Sequence, residues 1–204
     1  PDYGAMANAA LSLYLATADM SFLDHVARCF PILEQDYSDG AGGFFMTAAT
    51  AGDLIVRPRA DTDDPNPSGA SQILEAMARL ALIEGDPGGV ERAHALAANL
   101  HAASREARYG TAGFHCAIDT LFSGRHVTVF AGDRQAAGSW LHVLRRAPAP
   151  ALAWRTARAN MPLRHFGMEI APPSIGEAAI LCTTQTCSAP LATPDELAAA
   201  LNPT

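Results

Sequence analysis

The sequence predicts a mainly α-helical protein with a small α/β part at its C-terminal end. Apolar residues recur at helical spacing through most of residues 2–122, whereas from residue 126 onward short apolar runs have the length of buried strands. Gly124 separates the two patterns. We therefore predict two domains, helical hairpins over residues 1–124 and a three-stranded α/β unit over residues 125–204.

Five helical patterns precede Gly124. They cover residues 2–17, 21–33, about 67–84, a stretch after Pro87 that includes Val90 and runs to about 105, and 114–122. The first pattern is apolar on both faces, which predicts a helix buried on two sides. In the second, Ser21 and Asp24 have the spacing of a capping box, and Pro31 predicts a kink or an early end. The short joint between these two helices predicts an antiparallel hairpin.

A long loop is predicted between the second and third helices. Residues 37–66 are rich in glycine, proline and aspartate, with short strands expected at 43–47 and 54–56. A loop of this length inside a compact protein is usually functional or disordered.

The α/β part begins with a predicted buried strand at residues 126–131. A helix around Trp140 and a second strand near 151–155 complete a βαβ unit, whose two strands should be parallel. A third strand is predicted at Ala178–Cys182. Thr193, followed by Pro194 and Glu196, then predicts the capped start of a final helix.

Composition excludes several classes of protein. The formal net charge is -7, and no segment has the dense basic face of a nucleic-acid binder. Glu75 and Arg79 interrupt the best apolar run before it reaches the ~18 to 20 residues of a membrane span. The start shows no secretory signal pattern. Four cysteines are too few for a disulfide scaffold, so we predict a reducing compartment and a cytoplasmic location.

Three stretches resemble the C-terminal region of the thioredoxin-domain-containing, spermatogenesis-associated protein family and its bacterial relatives. They are Asp2 with Tyr3 opening a buried helix, the loop GGFFMT…LIVRPRADTDDPNPSGAS at residues 42–71, and the tail LCTTQTCSAPLATPDEL at residues 181–197. The strand HVTVFAGD and the helices fall in the expected order. The resemblance therefore covers nearly the whole chain.

The resemblance implies a thioredoxin-like domain, an (α/α)6 toroid like that of N-acylglucosamine 2-epimerases and six-hairpin glycosidases, and an α/β tail. Five helices make only part of a toroid, and Pro1 is not a start methionine. We therefore expect this chain to be the C-terminal part of a longer protein. Its expected partners are an upstream thioredoxin-like domain, the remaining toroid hairpins, or a second copy of the chain, and its function would lie in carbohydrate metabolism.

The sequence departs from the family pattern in the loop. The family carries an acidic residue near Ala60, Asp-Gly-Ala-Glu before the Pro-Ser-Gly, and Asn then Ser after it. Here the corresponding positions read Asp-Asp-Pro-Asn at 63–66, then Ala70 and Ser71. Part of the polar lining of a sugar-sized pocket would be lost.

Toroid geometry would bring the ends of the inner helices to one mouth of a central cavity, where carboxylates act as acid and base and an arginine binds an anion. The pocket candidates on this basis are Asp2, Tyr3, Arg57, Asp61, Asp63 and Ser68. The structural alternative is that the polar residues are helix caps and that Arg57 bridges to Asp61. No residue is assigned a catalytic role, and no cofactor is predicted.

Cys182 and Cys187 are the redox candidates. Four residues separate them, not the two of a thioredoxin-like motif, and buried structural thiols are favoured over a redox role. A disulfide or half of a zinc site are the alternatives, although the second pair of zinc ligands is missing. The histidines lack metal-binding spacing, so no metal site is predicted.

Two functions follow as hypotheses. In the first, the toroid binds or isomerises a carbohydrate-like small molecule, by analogy of fold. In the second, it is a redox-linked docking module for the upstream thioredoxin-like domain.

Overall fold

The computed structural model describes residues 2–52, 54–106, 108–149, 151–159, 161–174 and 176–202. It confirms a mainly α-helical chain with a small mixed sheet of three strands. The chain forms two compact units. The first contains the chain up to Leu80 together with Gly88–Phe122, and the second contains Ala81–Pro87 together with the chain from Ser123 onward.

Five helices lie before residue 124. They are α1 (Asp2–Thr17), α2 (Ser21–Ile32), α3 (Gly69–Glu84), α4 (Pro87–Glu106) and α5 (Ala112–Ser123). Pro31 lies inside α2, and the chain continues directly from Ile32 into a π-helical turn, Leu33–Tyr37. Gly85, with a φ of 66°, ends α3 in the left-handed conformation that glycine adopts readily.

Two predictions for α1 and α2 are wrong. Among the described residues α1 buries one face, which meets α2 and α3, and leaves Met6 61% and Leu13 46% exposed. The start of α2 is capped from outside the predicted capping box, because the Asp19 carboxylate accepts a hydrogen bond from the Ser21 amide at 2.9 Å. An aspartate just before the helix reaches that amide, so Asp24 is not needed for it.

The long loop is held by isolated bridges, not by the two predicted strands. Phe44 pairs with Ser38, and Phe45 pairs with Arg59. Residues 54–56 form no strand, and Ile55 is fully exposed. Because these side chains have no cover, their β propensity alone does not produce a strand.

The second unit contains a sheet of three strands. Its strands are β1 (Arg125–Ala131), β2 (Leu152–Arg158) and β5 (Ala178–Cys182). β1 pairs with β2 in parallel, as the βαβ pattern predicted, and with β5 antiparallel. A hairpin of β3 (Leu163–His165) and β4 (Met168–Ile170) was not predicted.

Two further helices belong to this unit, α6 (Gly138–Arg146) and α7 (Pro194–Leu201). The predicted cap of α7 is present, with the Thr193 hydroxyl accepting from the Glu196 amide at 3.2 Å. Within the described part of the chain, no helix is both long and apolar enough to cross a membrane.

Candidate functional site

In the loop before α3, Asp63 and Ser68 act as helix caps. Both Asp63 carboxylate oxygens accept backbone hydrogen bonds at 2.7 Å, one from the Ser68 amide and one from the Gly113 amide at the start of α5. The buried Ser68 hydroxyl accepts from the Ser71 amide at 3.1 Å and donates to the Ser71 hydroxyl at 2.7 Å. Asp63 and Ser68 therefore tie the loop to the beginnings of two helices.

Arg57 is also bound into the loop. Its guanidinium donates to the carbonyls of Thr47 and Asp36, and lies 4.2 Å from the centre of the Phe45 ring. The expected Arg57–Asp61 bridge is wrong, because the partner of Asp61 is Arg59, with 2.5 Å between Nε and Oδ2.

Arg59 joins three segments of the first unit. Besides Asp61, its guanidinium binds Asp39 and the Asn99 side-chain oxygen on α4. Burial alone would raise the pKa of Asp39, but amide donors from Gly43 and Ala41, with Arg59, bring it below its usual value.

The remaining pocket candidates, Asp2 and Tyr3, take no part in these hydrogen-bond networks. Asp2 is exposed in the first turn of α1. Tyr3 is half-buried, packs against the helical core, and meets Tyr37 edge to face with 5.6 Å between ring centres. Neither residue lines the cavity described next.

A cavity of about 420 Å³ lies among α1, the loop, α3 and α5 of the first unit. Its volume is within the range of small-molecule sites, about 300–1,000 Å³. Of the six predicted pocket residues, Asp63 is the one in its lining. The lining comprises Asn8, Asp63, Asp64, Pro65, Asn66, Pro67, Ser71, Gln72, Glu75, Ala112, Gly113 and Cys116.

Glu75 is a lining residue with one buried carboxylate oxygen that has no partner. Its Oε1 accepts from the Thr120 hydroxyl at 3.1 Å, whereas Oε2 is buried without a hydrogen-bond partner. Burial raises the pKa of Glu75, Asp119 adds to the rise, and the Thr120 hydrogen bond and Arg79 oppose it. Such a carboxyl group can hold or release a proton nearer neutral pH than an exposed glutamate.

Arg79, one helical turn along α3 from Glu75, is directed to α1. Its guanidinium lies 3.3 Å from both the carbonyl and the side-chain oxygen of Asn8 and 3.2 Å from the Ser12 hydroxyl. Burial lowers the pKa of Arg79, and Glu75 acts against this change. The two side chains thus lie in one partly buried, polar strip of α3.

Sequence analysis missed Glu75 as a site residue. It noted Glu75 and Arg79 only as charges that interrupt an apolar run. The sequence does show two ionisable residues four positions apart, surrounded by apolar residues of the predicted helix. A charge in that setting needs a partner or a function, so the pair could have been chosen as a candidate.

The two redox candidates are joined. Cys182, fully buried at the end of β5, and Cys187, half-buried, form a disulfide across the turn of residues 183–186. The favoured interpretation as two separate buried thiols is therefore wrong. Cys29 is a buried free thiol, and Cys116 is an exposed one at the rim of the cavity.

Across the residues that the structure describes, no three histidine, cysteine or acidic side chains group as metal ligands would. His126 and His165, both in the second unit, are completely buried.

The comparison with known proteins adds no identity to this geometry. No protein-family model matches the sequence, and no curated protein matches it.

Proposed function

We propose that the chain binds a small carbohydrate-like molecule in the cavity beside Glu75, and that Glu75 transfers a proton to or from it. The observation that carries this proposal is that Glu75, whose Oε2 is buried without a hydrogen-bond partner, is one of the residues that line a cavity of small-molecule size. A general acid or base works best when its pKa is near the working pH, and burial moves Glu75 in that direction.

The remaining lining is mainly apolar, with a few polar side chains among it. Asp64, Asn66 and Gln72 contribute side-chain oxygen and nitrogen atoms at its exposed edge, while Pro65 and Pro67 offer apolar faces. Sugars combine hydroxyl groups with apolar ring faces, so they match such a mixed surface. In this proposal the helical hairpins form part of an (α/α) toroid.

Proton exchange in heavy water tests the proposal. The chain is incubated with monosaccharides, their N-acetylated forms and the corresponding ketoses, while ligand-observed NMR follows binding and mass spectrometry follows deuterium in carbon-bound positions. We expect one class to bind and to gain deuterium. Glu75→Gln should bind that class but exchange at least about 100-fold more slowly, the lower range for loss of a general base.

Glu91→Gln is the matched control, because Glu91 is an exposed glutamate on α4 and lies outside the cavity lining. It should leave binding and exchange unchanged. The proposal fails if no sugar binds at millimolar concentration, or if Glu75→Gln exchanges as fast as the unchanged chain.

A second candidate function is thiol–disulfide exchange with a dithiol protein, and the Cys182–Cys187 disulfide favours it. The partner's thiolate would attack the sulfur of the half-buried Cys187 and release Cys182 as a thiolate. The partner's second thiolate would then displace Cys187, which leaves the partner oxidised and this pair reduced.

A partner with only its attacking cysteine tests this candidate by trapping the mixed disulfide. Mass spectrometry should find Cys187 in the trapped species, in a chain that carries Cys116→Ser to remove the exposed thiol. Trapping only through Cys29, or no trapping at all, would reject the exchange function and leave the sugar proposal untouched.

A further inference from the structure

The second unit contains a pair of buried histidines that the proposed function does not use. His126 on β1 and His165 on β3 have no exposed surface, and their ring centres lie 4.4 Å apart at an interplanar angle of 35°. Nε2 of His165 is buried without a hydrogen-bond partner. Two imidazoles so placed share one buried site.

The surroundings of the pair require neutral rings. Arg155 on β2 approaches Nδ1 of His165 at 3.4 Å, and a guanidinium can only donate, so this nitrogen must carry no proton. A proton there would put two cations in contact at a buried position. Nε2 of His126 lies 3.0 Å from the Thr128 hydroxyl.

The groups that neighbouring elements place beside the two rings also favour the neutral form. Arg155 from β2 is the charged group that acts on both rings, and the end of α3 contributes the Leu82 carbonyl, which weakly favours a charged His126. Burial is the main cause that lowers the pKa of both rings, that of His165 to about 4. The carboxyl groups of Glu84 and Asp86 flank Gly85 on the turn that packs against His165, and neither is among the causes of the pKa change of either ring.

His165 also anchors the β3–β4 hairpin. Its ring covers Gly85, where an added Cβ would lie only 2.2 Å from Nδ1 of His165. The next residue, Phe166, donates its amide to the Gly85 carbonyl at 2.7 Å and has a φ of 47°. A left-handed conformation is costly for a phenylalanine, so the docked contacts must hold the turn in place.

We propose that the His126–His165 pair is an acid-operated latch, which holds the β3–β4 hairpin on the Gly85 turn while both rings are neutral and releases it when His165 takes up a proton. The sign follows from the direction of the change. A histidine harder to protonate in the closed state stabilises that state fully above its ordinary pKa near 6.5, and the contribution is lost as the pH falls toward 4.

Amide hydrogen exchange at Phe166 measures the latch directly in the intact chain. With an ordinary pKa of ~6.5 in the open state and about 4 in the closed state, the protection factor should fall by about 70-fold between pH 7.5 and 4.5. His165→Gln keeps an oxygen that can accept from Arg155 and carries no titrating proton, so its protection should be independent of pH over this range.

His142→Gln is the matched control, because His142 is exposed on α6 of the same unit. It should follow the unchanged chain. An unchanged Phe166 protection factor at pH 4.5, or the same fall in His165→Gln, overturns the proposal. If His165→Gln does not fold, the ring resonances of the unchanged chain decide, since a closed state in which His165 titrates near 6.5 contradicts the latch.

Discussion

The loop before α3 and the helix α3 differ in how far their ionisable side chains are paired. In the loop, Arg57, Arg59 and Asp63 have partners in the backbone or in opposite charges, and Asp61 binds Arg59 through one oxygen while its Oδ1 is buried without a partner. On α3, Glu75 keeps a buried oxygen without a partner. A satisfied group stabilises the fold and has little left for a ligand, whereas an unsatisfied one costs stability and remains available.

In the second unit, Gly85 follows α3 and leaves room for the His165 side chain because it has no Cβ. Gly85→Ala should lower the free energy of unfolding by about 3 to 4 kcal/mol, because the new methyl group meets His165 and the positive φ is strained. Chemical denaturation checks this. Gly132→Ala, where an added Cβ meets nothing within 4 Å, should change stability by less than ~0.5 kcal/mol.

Removal of a carboxylate that has its hydrogen-bond partners should lower the free energy of unfolding by less than Gly85→Ala does and by more than a surface substitution does. Asp63→Ala leaves the Ser68 and Gly113 amides without their acceptor, so we expect a loss of about 2 to 3 kcal/mol by denaturation. Asp64→Ala, at the exposed neighbour, should cost under ~0.5 kcal/mol. Equal losses in both variants would contradict the assignment of Asp63 as a cap.

Removal of the Glu75 carboxylate should have the smallest effect, and it should raise the free energy of unfolding. Because the folded state raises the pKa of Glu75, the charged form weakens the fold, and this penalty grows as the pH rises above ~4.5. At pH 7, Glu75→Gln should stabilise the chain by about 1 kcal/mol, with no gain at pH 4. Thermal unfolding at both pH values checks this, and a loss at pH 7 would make Glu75 a structural residue.

Helix and strand positions were largely predictable from the sequence. Apolar spacing placed all five helices of the first half, and Ala178–Cys182 was predicted with the bounds that the structure shows. The β3–β4 hairpin was missed because its two strands are only three residues long and lie in a proline-rich segment, too short for a periodic signal.

The candidate site was less predictable, because residue types alone do not reveal which partners a side chain meets. Arg57 and Arg59 are two residues apart in the same motif, yet only Arg59 reaches Asp61 and Asp39. The spacing of Cys182 and Cys187 is equally compatible with two free thiols. The turn of residues 183–186 is what brings the two sulfur atoms together.

The sequence by itself determined where the helices and the three strands of the main sheet form, because apolar periodicity is a local property of the chain. The tertiary structure decided which ionisable groups are satisfied, which depends on partners far apart in sequence. Glu75 and Thr120 are 45 residues apart, and His126 and His165 are brought together only by sheet and hairpin. Desolvation and pairing act through space, so these sites could be located only after folding.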